Sequence, residues 1–161
     1  MGKNISQLGK YKQNIHSALF KNKTLLNIIV KGADSMEFSE KMTEFQKYVQ
    51  SHLFIDDTIE KENDFIFYDV RVSSMSSQIK TCTILMYIIT PRDQIDVVPD
   101  IEGYYGNRTD ILAQLVEDTL INDEKIVREF GIGDLALENV DIYNATRFYG
   151  RILTFKTKDF R

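Results

Sequence analysis

Apolar residues recur along this chain with two distinct periods, and each change of period marks a new element. Residues 5–20 place Ile5, Leu8, Tyr11 or Lys12, Ile15 and Leu19 at helical spacing, weakened by Gly9. A short apolar piece after Asn22, "TLLNIIV", runs toward Gly32 and reads as a second helix with glycine past its end. Beyond it, Asp34 and Glu37 have the spacing of a capping box. Phe38, Met42, Phe45, Val49 and Leu53 then form one stripe, which predicts a helix over 35–53.

The period changes to two in "DFIFYDVRVS", residues 64–73. Ile66, Tyr68, Val70 and Val72 share one face of a strand, and Asp69, Arg71 and Ser73 alternate with them. After "SMSSQ", residues 79–90 begin amphipathic and become apolar on both faces from Ile84, as a central strand does. The short polar link between the two predicts an antiparallel hairpin. Helical spacing returns after residue 108, with Asn107 or Thr109 as cap and Asp110 in the first turn. Ile111, Leu112, Leu115, Val116 and Leu120 supply its buried stripe. A weaker turn is expected over 124–130, ending at Gly131, and "VDIYN" with "TRFYGRILTFK" predicts a second hairpin. The order helices, hairpin, long loop, helix, hairpin predicts a single α+β domain over 1–161, helical in 1–55 and sheet-and-helix in 64–161. Its sheet is expected to be mostly antiparallel, of about four strands, with helices packed on one face.

Composition fits that picture. A chain of 161 residues, 43% hydrophobic and with 2 prolines, supports one sizeable core. No apolar run approaches the roughly 20 residues a membrane span needs, and the lysine-rich N-terminus lacks the apolar core of a signal peptide. The lone Cys82 excludes an internal disulfide.

Charge adds more, because the net −4 is segregated along the chain. Residues 1–33 carry +6, 34–64 carry −6, 65–90 carry +1, 91–141 carry −9 and 142–161 carry +4. Blocks of opposite sign either solvate the surface, face each other within the fold, or face a second copy, where head-to-tail contact builds rings.

Candidate chemistry is sparse. The two histidines, His16 and His52, are expected on separate helices and Cys82 in a strand, so no zinc site is expected. The loop acids Asp93, Asp96, Asp100 and Glu102 lack the ligand register and glycine of a calcium loop. Neither a nucleophile elbow nor a phosphate-binding glycine motif occurs, so no catalytic or cofactor-binding residues are assigned. Glu60, Asp69 and Lys80 read as solvent-face charges on a half-buried hairpin rather than as a nuclease-like metal site. "MGKNIS" fits the loose N-myristoylation pattern through Gly2 and Ser6. The lysines at 3, 10, 12, 21 and 23 do not share one helical stripe and include no arginine, so a direct nucleic-acid role is not expected.

The remaining feature is "PDIEGYYGNRTDILAQLV", residues 99–116, where a long loop holding both prolines and a tyrosine pair enters a strong helix. Loops of such length are commonly functional. "LLNIIV", the hairpin "FIFYDVRV" and "IKTCTILMYIIT", the stretch "GNRTDILAQLVEDTLIND" and the closing "GRILTFKTKD" together resemble the small α+β proteins that join heads to tails in tailed bacteriophages, tail terminators and tail-completion proteins above all. The helix at 35–53 is an addition to that pattern. The resemblance implies a non-enzymatic virion structural protein of the neck, without cofactor or metal, assembled in the host cytoplasm. It also implies a ring, commonly of six, that caps the tail tube and receives the head connector. On this reading Tyr104, Tyr105 and Arg108 are interface residues, and Lys10 and Lys12 belong to a basic contact surface. The competing reading of the loop makes both tyrosines a lid over the following helix and pairs Arg108 with Asp110 or another nearby acid. Competing functions are an enzymatic or ligand-binding α+β domain with the 91–108 loop as pocket cover, and a membrane adaptor acting through Gly2.

Overall fold

A computed structural model describes residues 3–53, 63–75, 79–123 and 135–160. The first helix, α1 (Lys3–Lys21), is followed by α2 (Lys23–Ile29) and α3 (Phe38–Tyr48). A two-residue strand, β1 (Val49–Gln50), and then β2 (Phe65–Met75) and β3 (Ile79–Pro91) precede α4 (Arg108–Asn122), and β4 (Ala136–Asn144) and β5 (Phe148–Phe160) close the chain. One five-stranded sheet has the order β1-β2-β3-β5-β4, parallel only between β1 and β2. The class is the expected α+β with a mostly antiparallel sheet, and the strand beyond the expected four is β1. The turn expected over 124–130 and the acylation motif at Gly2 lie outside the described residues.

The two hairpins and α4 follow the alternation that predicted them. Phe65 pairs with Ile89 and Val72 with Cys82, and β3 runs alongside β5 from Ile79–Phe160 to Pro91–Phe148. Strand β3 is thus paired on both edges, and it turns apolar on both faces where Ile84, Met86 and Ile88 enter the main core on one side and Ile89, with Tyr87 beside it, joins a smaller cluster on the other.

The main core lies between the sheet and the helices. Tyr11, Ile15 and Leu19 of α1, Leu25 and Ile29 of α2, and the stripe from Ile111 to Leu120 of α4 meet Ile66, Tyr68, Ile84, Met86, Ile88, Leu153 and Phe155 of the sheet. N-terminal helices and sheet thus share one apolar cluster. A smaller cluster of Phe65, Phe67, Ile89 and Phe148 belongs to the other face, with the Phe65 and Phe67 rings stacked at 5.5 Å.

The third helix departs from expectation. It begins at Phe38 rather than near residue 35, Glu37 provides no side-chain cap, and Asp34 lies in a short 3-10 turn instead of a capping box. It also ends at Tyr48, because Val49 and Gln50 leave the helix to pair with Ile66 and Phe67 of β2. Only Phe45 and Val49 of the expected stripe are buried; Phe38 is 68% exposed, and Met42 and Leu53 also reach solvent. Helical periodicity alone does not reveal this, since β-branched Val49 suits either state and the choice is made by a strand edge that residues 64–73 provide.

Gly150 marks the tightest approach in the sheet. A Cβ there would stand 2.2 Å from the carbonyl oxygen of Ile88 and 2.9 Å from Cγ2 of Ile89. Backbone offers no easy relief, so Gly150→Ala is expected to destabilise the fold by about 1–3 kcal/mol, the usual range for overpacking. Urea unfolding reads this directly; an unchanged midpoint would show that β3 and β5 separate freely at this point.

Candidate functional site

The long loop is held at its second end by a buried ion pair. Asp64, the residue before β2, is 2% exposed. Arg108, the first residue of α4, donates from Nε to both of its carboxylate oxygens at 3.0 Å and from Nη2 to Oδ2 at 2.8 Å. Thr90, near the end of β3, donates its hydroxyl to Asp64 Oδ1 at 3.0 Å. Nη1 donates to the carbonyl of Val97 in the loop at 3.0 Å, and Nη2 also reaches the carbonyl of Ile28 in α2 at 3.4 Å. Asn63 donates to the carbonyl of Ile29 at 3.1 Å. Two carbonyls at the end of α2, which have no intrahelical donor, are thereby satisfied, and the cation stands at that helix's negative end.

The residues around Arg108 complete the attachment. Asn107 caps α4, accepting from the amide of Asp110, while Asp110 Oδ2 accepts from the amide of Asn107 at 3.1 Å. The other oxygen of Asp110 accepts from Arg151 of β5 at 3.0 Å. Gly106, at φ 114°, is required here: a Cβ would lie 2.6 Å from Asp110 Oδ2. At the loop's first end, Arg92 donates through Nε to the carbonyl of Ala145 at 2.7 Å and through Nη2 to the side-chain oxygen of Asn144. The sequence "GNRTD" is thus a clamp that fixes loop and helix on the sheet.

Within the clamped loop the tyrosine pair divides. Tyr104 is half-buried against the main core and donates its hydroxyl to Asp118 of α4 at 2.7 Å. That bond to a carboxylate holds the phenol above its ordinary pKa. Tyr105 points outward, 78% exposed. Its backbone is gripped by Gln114 of α4, whose amide donates to the carbonyl of Tyr105 at 2.6 Å and accepts from its N–H at 3.4 Å. Val97 and Val98 are exposed as well, among the acids Asp93, Asp96, Asp100 and Glu102.

Of the five residues expected at an interface, Tyr105 and Lys10 are exposed. Arg108 is corrected to an inward position: its donors go to Asp64, Val97 and Ile28, and its acidic partner is neither Asp110 nor a loop acid. Tyr104 is the lid that the competing reading described. Lys12 pairs with Asp69 at 2.7 Å and donates to the carbonyl of Ser51 at 3.1 Å. Asp69 is therefore occupied by a lysine of α1. Glu60 lies outside the described residues.

A second surface went unnoticed in the sequence. A groove of about 1170 Å³ lies between α1, α2, α3 and β1. Phe20, Leu26, Phe38, Met42, Val49 and Tyr68 supply its apolar walls, Lys12, Lys21, Lys23 and Lys41 its positive charge, and Asp34 its acid among the described residues. Both histidines line it; the expectation of separate helices fails for His52, which follows β1. His16 packs edge-on against Phe45 at 5.3 Å, and burial lowers its pKa. Among the described residues no three His, Cys, Asp or Glu side chains gather as a metal site. The described lining contains no residue of the 91–108 loop, so this concavity is not the loop-covered pocket that the competing function required. No described helix is long and apolar enough to cross a membrane.

These features define a small α+β protein with a clamped acidic loop and a basic, apolar-walled groove. The model of the YomW family matches residues 12–157, and the chain belongs to that family. The family takes its name from a gene of an SPbeta-like Bacillus phage region, which makes it phage-associated. No curated protein matches the chain.

Two predictions follow from the geometry. Arg108→Ala leaves the Asp64 carboxylate buried without its cation and is expected to cost about 3–5 kcal/mol in urea unfolding, whereas Tyr105→Ala is expected to stay within about 0.5 kcal/mol; equal effects would contradict the division between clamp and presented side chain. His16 has a lowered pKa in the fold, so below about pH 6.5 the unfolded chain takes up its proton first and stability falls with falling pH. His16→Gln should flatten that decline. An identical pH profile in the variant would mean that other groups set it.

Proposed function

We propose that this protein is a non-enzymatic structural component of the phage neck, of the tail-terminator type, acting by assembly with copies of itself and with tail-tube and connector proteins. The observation that carries the reading is the presentation of Tyr105: an exposed aromatic on a loop whose backbone, base and following helix are all fixed by hydrogen bonds. Its backbone is already fixed before it meets a partner, so contact loses little backbone conformational entropy, and tyrosine is enriched where interfaces concentrate their energy. Membership of a phage-associated family and the segregation of acidic and basic segments support the same reading.

A ring built by head-to-tail contact needs two different surfaces on each copy, and this chain has an acidic apolar loop and a basic apolar groove. In this role the protein works in the virion. Lys10 is exposed on α1 outside the groove lining, while Lys12 lines the groove with its ammonium engaged by Asp69 and the carbonyl of Ser51.

The test is genetic and microscopic. In a phage that carries this gene, deletion is expected to leave filled heads and tails unjoined, and supplying the wild-type protein should restore complete particles. The Tyr105→Ala chain, folded to normal stability, should restore fewer. Normal, infectious, tailed particles in the absence of the protein would overturn the proposal.

A further inference from the structure

We propose that the groove between α1, α2 and α3 is the docking site for the acidic loop, residues 93–105, of a second copy of this chain. The inference rests on the reading of the protein as a self-assembling component and names the surfaces that would meet. The groove carries Lys21, Lys23 and Lys41 beside the exposed side chains of Phe38 and Met42. The loop carries Asp93, Asp96, Asp100 and Glu102 around exposed Val97, Val98 and Tyr105. Each surface therefore joins one sign of charge to unburied apolar groups, and the signs are opposite.

Three physical points favour this occupant. The loop does not enter its own groove, since the described lining holds none of its residues. The clamp at Asp64 and Arg108 and the grip of Gln114 on Tyr105 keep the loop in one shape, which limits the ordering lost on docking. At about 1170 Å³ the groove also exceeds the roughly 300–1,000 Å³ of ordinary small-molecule pockets and has room for a peptide segment. Because loop and groove are different patches, the contact is heterologous, and repetition closes a ring or extends a filament.

The experiment uses full-length chains with one cysteine added in each. Met42→Cys and Val98→Cys are both at exposed positions, and the native Cys82 is buried. On mild oxidation the two variants mixed should give a disulfide-linked dimer of one with the other, and each variant alone should give far less. A mixture that yields no more than the separate variants overturns the proposal. That would also be the result if the acidic 54–62 segment of the same chain, or a small anionic ligand, were the groove's occupant. A product joining mainly like variants would place another surface in the contact and likewise overturn it.

Charge reversal gives an independent readout. Lys21→Glu with Lys41→Glu should weaken self-association by about tenfold or more, and Asp96→Lys with Asp100→Lys in the partner chain should restore it. Failure of the restoring pair contradicts loop-in-groove docking. Unjoined heads and tails in the deletion phage, without mixed cross-links, would leave the neck function standing and remove only this contact. Mixed cross-links together with normal particles in that phage would do the reverse.

Discussion

A carboxylate at 2% exposure is tolerable only where its charge and its lone pairs are all answered, and Asp64 meets that condition through Arg108 and Thr90. Taking two ions out of water costs several kcal/mol each, so a pair of this kind contributes little net stability. Its consequence is positional. To reach Asp64, Arg108 must lie over the start of β2, which fixes the start of α4. The same guanidinium holds the loop at Val97 and the end of α2 at Ile28, so helix, loop and sheet are set by one side chain. A second cation, Arg151, repeats the device on Asp110 in the same first turn and bonds α4 to β5. Satisfied polar networks of this sort favour a single arrangement over near alternatives.

That constraint connects the fold to the proposed role. A loop as long as 91–108 would ordinarily lose much entropy on meeting a partner. Here its ends are tied to the turn between β4 and β5 and to Asp64, and Gln114 holds the backbone at Tyr105. Tyr104 folds back on α4 while Tyr105 is turned out, so adjacent residues of one type serve opposite ends. The groove on the helical side is anchored differently: its walls meet the main core through Phe20, Leu26, Val49 and Tyr68, and the buried phenol of Tyr68 donates to the carbonyl of Lys12.

Much of the architecture was legible because local patterns and tertiary demands agree over most of the chain. The fully apolar run after Ile84 and the stripe from Ile111 to Leu120 match the burial observed, and Ile66, Tyr68 and Val70 are buried as the alternation in 64–73 requires, although Phe65 and Phe67 of the opposite face are buried as well. Of the two caps that residue type and position allowed, Asn107 and Thr109, the structure uses Asn107. What escaped notice depends on partners distant in sequence. Arg108 looked like an interface residue because its acid lies 44 positions earlier, beyond any local pattern. Val49 looked helical because the strand it joins comes later in the chain. The groove was hidden by the same periodicity: Phe38 and Met42 share the stripe of Phe45, and only packing shows that the stripe is buried at one end and open at the other. An acid placed directly before an apolar strand, as Asp64 is, and an apolar stripe interleaved with lysines, as in α3, are the signals that could have found both sites.

The account turns on oppositely charged, partly apolar surfaces that meet between copies, and native mass measurement of the wild-type chain over a range of concentration and salt tests it most directly. The account predicts oligomers that grow in with concentration and recede as salt screens the lysines and acids. A monomer at every concentration and salt, or association that strengthens steadily with salt, would contradict it.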